Sequence, residues 1–170
     1  MSILLASIGV MLILVSWARA AAAPGPTTAP GGCTLYASPS GTNDPKLLAR
    51  RGRRHRGSPG SLTNPFATPQ RLLQTLGAGQ SGCLRRGKYF GDVRFNDSGS
   101  LGAPITLRSF PGERATLAGG YVYVPTGSDY VTLENLHIDG SGTTQNSIQI
   151  FGSHDALIGD DITNHAQHSS

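Results

Sequence analysis

The strongest constraint on the fold is an internal repeat in the second half of the chain. Segments 121–140 and 147–164 share one layout: a strand, a Gly-Ser turn, a second strand, a tight corner and a third strand. Val122 stands 26 residues before Ile148 at the matching position. Three short strands in each period suit one coil of a parallel β-solenoid, because each coil returns the chain about 4.8 Å higher. We therefore predict an all-β, right-handed parallel β-helix.

Short apolar alternations separated by Gly, Asp, Ser or Pro extend this pattern back to Cys83. The predicted strands are 82–85, 92–95, 105–108, 115–117, 121–124, 130–133, 136–138, 147–150, 156–158 and 161–163. Leucine-rich repeats have a similar period but require fixed Leu and Asn positions that this sequence lacks. A two-sheet sandwich would not keep the repeat in register.

A short helix is predicted ahead of the coils. Thr68 suits the N-cap, Pro69 suits the first helical position, and Gly77 suits a left-handed stop. The leucines between them fall on one face, so the helix needs an apolar surface to cover. We expect an N-terminal cap at 33–82 and the coils at 83–170.

The first 23 residues predict export. An almost uncharged apolar run ends in the small-x-small triplet at 18–20, as in a signal peptide. The alternative is an uncleaved anchor, although the run is shorter than the roughly 20 residues that span a bilayer. Residues 1–23 are therefore predicted as a signal peptide, and the Pro/Thr/Gly/Ala stretch at 24–32 as a flexible spacer. We expect a secreted or cell-surface protein with no stable membrane insertion after signal cleavage.

The chain contains two cysteines, Cys33 and Cys83. An oxidising destination favours a disulfide between them. A nucleophilic or metal-binding thiol would need a His or another Cys at ligand spacing, and neither neighbourhood supplies one. We predict a structural Cys33–Cys83 bridge.

The net charge of +4 comes from one arginine run. Five arginines lie within residues 50–56, and without them the formal charge is −1. A local run does not make a nucleic-acid groove, so we expect no nucleic-acid partner. Segment 42–65 is otherwise rich in turn residues, which predicts a long surface loop. The run is then either solvated or a contact to an acidic polysaccharide or cell-wall polymer.

Several segments together resemble the secreted right-handed parallel β-helix proteins of the pectate-lyase-like superfamily, especially their bacterial N-terminal modules. The segments that carry the resemblance are 36–41, 64–70, 84–89, 102–113 and 128–140. The resemblance implies that the predicted helix caps the open end of the solenoid. Family members of known activity are mostly polysaccharide lyases and hydrolases, while others are epimerases or binding and surface proteins. Polysaccharide is therefore the expected partner, and the protein is expected to be monomeric.

The resemblance also suggests candidate site residues. Lyases of this superfamily hold Ca²⁺ with carboxylates from neighbouring coils, which makes Asp160 and Asp161 candidate metal ligands. Adjacent strand residues point to opposite faces, however, so a solvated turn is the alternative for this pair. His137 faces away from the core in an alternating strand, and with Asp139 it is the candidate sugar-binding group. A plain solvated histidine is the alternative, and no catalytic residue is assigned.

The sequence thus predicts an exported, carbohydrate-directed β-helix that binds or cleaves an extended glycan. The sequence does not decide whether the protein is an enzyme. The alternatives are a polysaccharide lyase, a glycoside hydrolase and a non-catalytic cell-surface or cell-wall binding module. Solenoids need a cap at both ends, and none follows residue 164. We therefore expect the chain to be the N-terminal portion of a longer solenoid, with an inactive truncated product as a further alternative.

Overall fold

The computed structural model describes residues 32–55, 57–143 and 146–163. The predicted signal peptide at 1–23 lies outside these ranges, as does the predicted spacer except for Gly32. Residues 164–170 also lie outside them.

Twelve short strands and two helices make up the described residues. The strands are β1 Leu35–Ala37, β2 Ser81–Leu84, β3 Gly87–Phe90, β4 Val93–Arg94, β5 Ile105–Ser109, β6 Ala115–Ala118, β7 Val122–Val124, β8 Val131–Glu134, β9 Leu136–Asp139, β10 Ile148–Ile150, β11 Ala156–Ile158 and β12 Asp161–Thr163. The helices are α1 Pro45–His55 and α2 Pro69–Leu73.

The strands form three parallel sheets stacked as a β-helix of about three turns. The five-stranded sheet has the order β1-β2-β5-β8-β11, the four-stranded sheet β12-β9-β6-β3 and the three-stranded sheet β10-β7-β4. Val122 pairs with Ile148 in parallel register, as the 26-residue repeat requires. The predicted parallel β-helix is confirmed.

The core fills the space between the three sheets. Along β5, Ile105 and Leu107 are buried while Thr106 and Arg108 are less so, and the same alternation recurs in β8 and β9. Stacking places like residues above one another, so each inward position becomes an apolar row that runs through successive coils. Burial of these rows is the main favourable contribution to folding.

Helix α2 covers the N-terminal end of this core, as predicted. The helix ends at Leu73 with Gln74 as its C-cap, so the predicted left-handed stop at Gly77 is wrong. Thr68 is its N-cap, and the Thr68 hydroxyl accepts a hydrogen bond from the Arg71 amide at 3.3 Å. Leu72 is fully buried, and its Cδ2 occupies the space that a Cβ on Gly82 would need. A glycine at position 82 therefore allows α2 to lie directly against β2.

The prediction of a loop over segment 42–65 is wrong in part, because α1 lies within it. Asp44 caps this helix, since its Oδ1 accepts a hydrogen bond from the Lys46 amide at 2.7 Å. Pro45 occupies the first helical position, and the arginine-rich segment that follows is made largely of good helix formers. The arginine run is thus mostly helical.

Strand β3 also lies outside the predicted strands.

A disulfide links Cys33 to Cys83, with Cα atoms 5.6 Å apart, and confirms the predicted bridge. Cys83 lies in β2 opposite Tyr36, on the outer side of the five-stranded sheet. Both cysteines are buried with Tyr36, and Phe110 packs against them. The bridge therefore ties the segment before β1 to the first complete coil.

The other end of the described solenoid is open. Among the described residues, β10, β11 and β12 each pair with a strand on one side only. Leu157, which stacks on the buried Leu133, is 44% exposed. The apolar rows of the core therefore reach the surface at this end.

Candidate functional site

The structure brings three of the four predicted site residues onto the outer face of the four-stranded sheet. Lys88, Thr116, His137 and Asp161 follow one another in register across β3, β6, β9 and β12. We call these four residues the histidine row. Asp139 lies two positions after His137 on the same face. The predicted sugar-binding residues are therefore neighbours at the surface.

One hydrogen bond each fixes the side chains of His137 and Asp139 on this face. His137 Nε2 lies 3.0 Å from the hydroxyl of Thr163 on the next coil. Asp139 Oδ1 accepts a hydrogen bond from the Ser141 amide at 3.0 Å, which ties the carboxylate to the turn after β9. Both residues thus have interactions within the fold, and their role as sugar contacts stays a prediction.

Asp160 does not share the outer face with Asp161. It lies in the corner before β12, where its Oδ1 accepts a hydrogen bond from the Leu136 amide of the coil below at 2.7 Å. Burial raises the pKa of Asp160 above its usual value, and the backbone hydrogen bonds oppose that rise. Within the ranges that the structure describes, no group of three or more His, Cys, Asp or Glu side chains is arranged to hold a metal ion. The Ca²⁺ hypothesis for this pair stays a prediction.

Substitutions at Asp160 should separate the effect of its hydrogen bond on stability from the effect of its charge. Asp160→Ala leaves the Leu136 amide without its partner, so we expect it to lose about 1 to 3 kcal/mol in the free energy of unfolding. Asp160→Asn keeps an acceptor oxygen and should be at least as stable as the wild type at neutral pH. Because the folded pKa is raised, the contribution of the wild-type carboxyl is full below its unfolded pKa and is lost as pH rises through the folded value.

Urea unfolding of the wild type and both variants between about pH 4 and about pH 7 measures these differences. The stability of Asp160→Asn relative to the wild type should increase toward neutral pH. Asp161→Asn is the control, because this neighbouring carboxylate is exposed at the start of β12. A wild type that gains stability over Asp160→Asn as pH rises would contradict the expected direction.

A second candidate site lies on the outer face of the three-stranded sheet. Arg94 of β4, Tyr123 of β7 and Gln149 of β10 stand in register across this sheet. Tyr121 precedes β7 and Phe151 follows β10, so both belong to the same outward set. We call these five residues the aromatic face. Its members come from three successive coils, so only the stacked fold brings them together.

Ring contacts make the aromatic face one continuous surface. The Tyr121 and Tyr123 rings lie 6.2 Å apart, edge to face, and the Tyr123 and Phe151 rings lie 5.8 Å apart. The guanidinium carbon of Arg94 lies 4.5 Å from the centre of the Tyr123 ring, within the range of a cation–π contact. Phe151 is 55% exposed, so the surface remains open to a ligand.

Helix α2 holds Arg94 in position at one end of the aromatic face. The Gln70 side-chain oxygen accepts from the Arg94 amide at 2.7 Å, and its Nε2 donates to the Arg94 carbonyl at 3.1 Å. Gln70 thus forms hydrogen bonds with both the amide and the carbonyl of Arg94 at the edge of β4, as the backbone of a neighbouring strand would. The Arg94 side chain in turn donates from Nε to Asn96 at 3.2 Å.

A small open cleft of about 120 Å³ begins beside this arginine. Its lining residues are Leu73, Gln74, Arg94, Phe95, Asn96, Asp97 and Ile105. The cleft provides amide and carboxylate groups next to the aromatic surface. Arg94 is the residue that the cleft shares with the aromatic face.

Two other arginines of the solenoid form salt bridges with carboxylates, which distinguishes them from Arg94. Arg85 pairs with Glu113 at 2.6 Å, and Arg108 pairs with Glu134 at 2.9 Å. Arg94 forms no salt bridge with any residue that the structure describes. Its guanidinium therefore keeps donors available for a ligand.

Searches of family models, curated proteins and solved structures return no match to this chain. The candidate sites therefore depend on the geometry described above. No helix within the described ranges is long and apolar enough to cross a membrane.

Proposed function

We propose that the protein is an exported glycan-binding β-helix whose aromatic face contacts the sugar chain. The observation that supports this best is the connected row of Tyr121, Tyr123 and Phe151 with Arg94 at its end. The resemblance to pectate-lyase-like proteins and the predicted signal peptide also favour an extracellular carbohydrate partner. The disulfide is compatible with an oxidising compartment.

The chemistry of the aromatic face suits sugars for two reasons. A pyranose ring has a face of C–H groups that packs on aromatic rings, which here supply large apolar area at a water-exposed site. Its hydroxyls lie at the ring edge, where the guanidinium of Arg94 and the amide of Gln149 can form hydrogen bonds. Tyr121 and Tyr123 lie in one coil and Phe151 lies in the next, so an extended chain could contact several of the rings.

Cleavage of the glycan is a second candidate function, and the histidine row favours it. His137 lies opposite Asp161 in neighbouring strands, which places an imidazole and a carboxylate on one outward face. Such a pair could transfer protons in a lyase or hydrolase reaction. The aromatic face itself consists of rings, an amide and a guanidinium, so binding is the function that it supports.

Substitution of the exposed rings tests the binding proposal. Phe151→Ala and Tyr123→Ala should each weaken glycan binding by roughly tenfold, because each removes one stacking surface. Binding is measured by affinity electrophoresis and calorimetry against a panel of soluble polysaccharides, both neutral and acidic. Circular dichroism of each variant checks that the β-helix is retained.

Phe90→Ala is the matched control for this experiment. Phe90 is 73% exposed but lies in β3 of the four-stranded sheet, outside the aromatic face. Its removal should leave glycan binding unchanged. Equal losses for Phe90→Ala and Phe151→Ala would reject the aromatic face as the site, and so would a wild type that binds none of the panel. Release of new reducing ends or unsaturated products by the wild type would favour the cleavage candidate.

A further inference from the structure

We propose that helix α1 is a separate docking surface for an acidic glycan, a chain of sugars that carries carboxylate or sulfate groups. The surface consists of Lys46, Arg50 and Arg53, which we call the basic face of α1. All three side chains are exposed. The proposal takes the extracellular location from the proposed function but does not depend on the aromatic face.

The spacing of the basic face follows from helix geometry. Positions 46, 50 and 53 are related by i, i+4 and i+7, so they lie along one side of α1. A rise of about 1.5 Å per residue spreads the three charges over roughly 10 Å. That length suits contacts with several units of an extended polymer better than contacts with one small anion.

The opposite side of α1 is fixed to the N-terminal cap. Leu48 is buried in the main core cluster, and its carbonyl accepts a hydrogen bond from the buried Asn64 side chain at 2.9 Å. Gly52 also approaches the cap closely, since a Cβ there would lie 2.8 Å from the Gly57 carbonyl oxygen. The helix is therefore held in one orientation, with its basic face on the side away from the cap.

The charges of the basic face lack acidic partners in the part of the chain that the structure describes. The two salt bridges found there, Arg85–Glu113 and Arg108–Glu134, both lie in the solenoid. Six of the fourteen Lys and Arg residues of the chain fall between 46 and 56. The remaining eight are outnumbered by the ten Asp and Glu residues of the chain. The positive charge is thus concentrated in segment 46–56, most of which is α1, and the rest of the chain is slightly acidic.

This distribution favours an acidic glycan over two other polyanions. A membrane-surface helix needs a broad apolar face, whereas the large apolar side chain that α1 exposes is Leu47, at 43%. A nucleic-acid duplex would extend past the helix along the slightly acidic solenoid, where like charges weaken its binding. A flexible sugar chain can follow the basic face alone, and it is a partner available outside the cell.

The test compares dextran sulfate with uncharged dextran as probes, so that the sugar backbone is matched and only the charge differs. The triple variant K46Q/R50Q/R53Q keeps good helix formers in α1 and removes three charges. We expect it to bind dextran sulfate roughly tenfold to a hundredfold more weakly than the wild type at moderate salt. The wild-type affinity should also fall as salt increases, and dextran should show no binding that depends on the three cations.

The matched control is R71Q/R86Q/R114Q, which removes the same charge from exposed positions outside α1. An equal loss in both triple variants would show that net charge alone is responsible and would overturn the proposal. So would unchanged binding by the α1 variant. Tighter binding to duplex DNA or to phosphatidylserine vesicles than to dextran sulfate would assign the basic face to another partner. The K46Q/R50Q/R53Q substitutions should weaken dextran sulfate binding by the same factor in a Phe151→Ala background, which separates this proposal from failure of the aromatic face.

Discussion

The free energy of unfolding of the Leu72→Ala variant is expected to be about 2 to 5 kcal/mol lower than that of the wild type. Leu72 is fully buried between α2 and the first coil, and it fills the space above Gly82. Truncation would leave a cavity at the end of the apolar rows, where water can reach the core. Urea unfolding followed by circular dichroism measures the difference.

Gln74→Ala supplies the control for the cap, because Gln74 is the exposed C-cap residue of the same helix. Its effect should stay within about 0.5 kcal/mol, as for most surface substitutions. A Leu72→Ala variant as stable as Gln74→Ala would mean that α2 does not cover the core. A loss confined to Leu72→Ala would show that the solenoid needs the cap at this end, where β3 and β4 each pair with a described strand on one side only.

Removal of the disulfide is expected to cost about 3 to 4 kcal/mol in the free energy of unfolding. Cys33 and Cys83 are separated by 50 residues, so the bond restricts a long loop of the unfolded chain. In the chain-entropy model this restriction is the main source of the stabilisation. The double variant Cys33→Ala/Cys83→Ala should therefore unfold at clearly lower urea concentration than the wild type.

Reduction of the wild type provides an independent comparison. The reduced protein should match the double variant in stability, since both lack the same constraint. The single variant Cys33→Ala leaves Cys83 with a free thiol and should be as unstable as the double variant. A double variant that unfolds at the wild-type urea midpoint, with the same slope, would show that the bridge adds nothing to stability.

Most strands could be predicted because their signals are local. In β7 and β8 apolar and polar side chains alternate, and turn residues such as Gly127 separate them. The 26-residue step also predicted which strands would pair, since it places Val122 against Ile148. β3 was harder to predict, because its single buried side chain, Tyr89, gives no alternating pattern.

Helix α1 had a usable signal that the surrounding residues obscured. Asp44 followed by Pro45 is a helix start, and the side chains after them favour helix. Gly52 and the turn-rich flanks instead suggested a loop. The helix is retained because tertiary contacts hold it, through buried Leu48 and the amide of Asn64.

The candidate sites were only partly predictable. Alternation in β9 correctly placed His137 on an outer face, and the structure adds that Asp139 lies on the same face. The pair Asp160 and Asp161 could not be resolved from spacing, because one hydrogen bond from Leu136 turns Asp160 toward the neighbouring coil. The aromatic face was missed, since Tyr123 and Phe151 look unrelated until the coils are stacked.

The sequence by itself determined the repeat, the alternation of inward and outward side chains, the capping helix and the cysteine pair, because each depends on spacing along the chain. The tertiary structure alone decided which outward side chains become neighbours. Parallel stacking joins residues that are a full coil apart, so Phe151 reaches Tyr123 and Arg94 reaches the same ring. These contacts depend on register between coils and on corner geometry, and local sequence patterns contain neither.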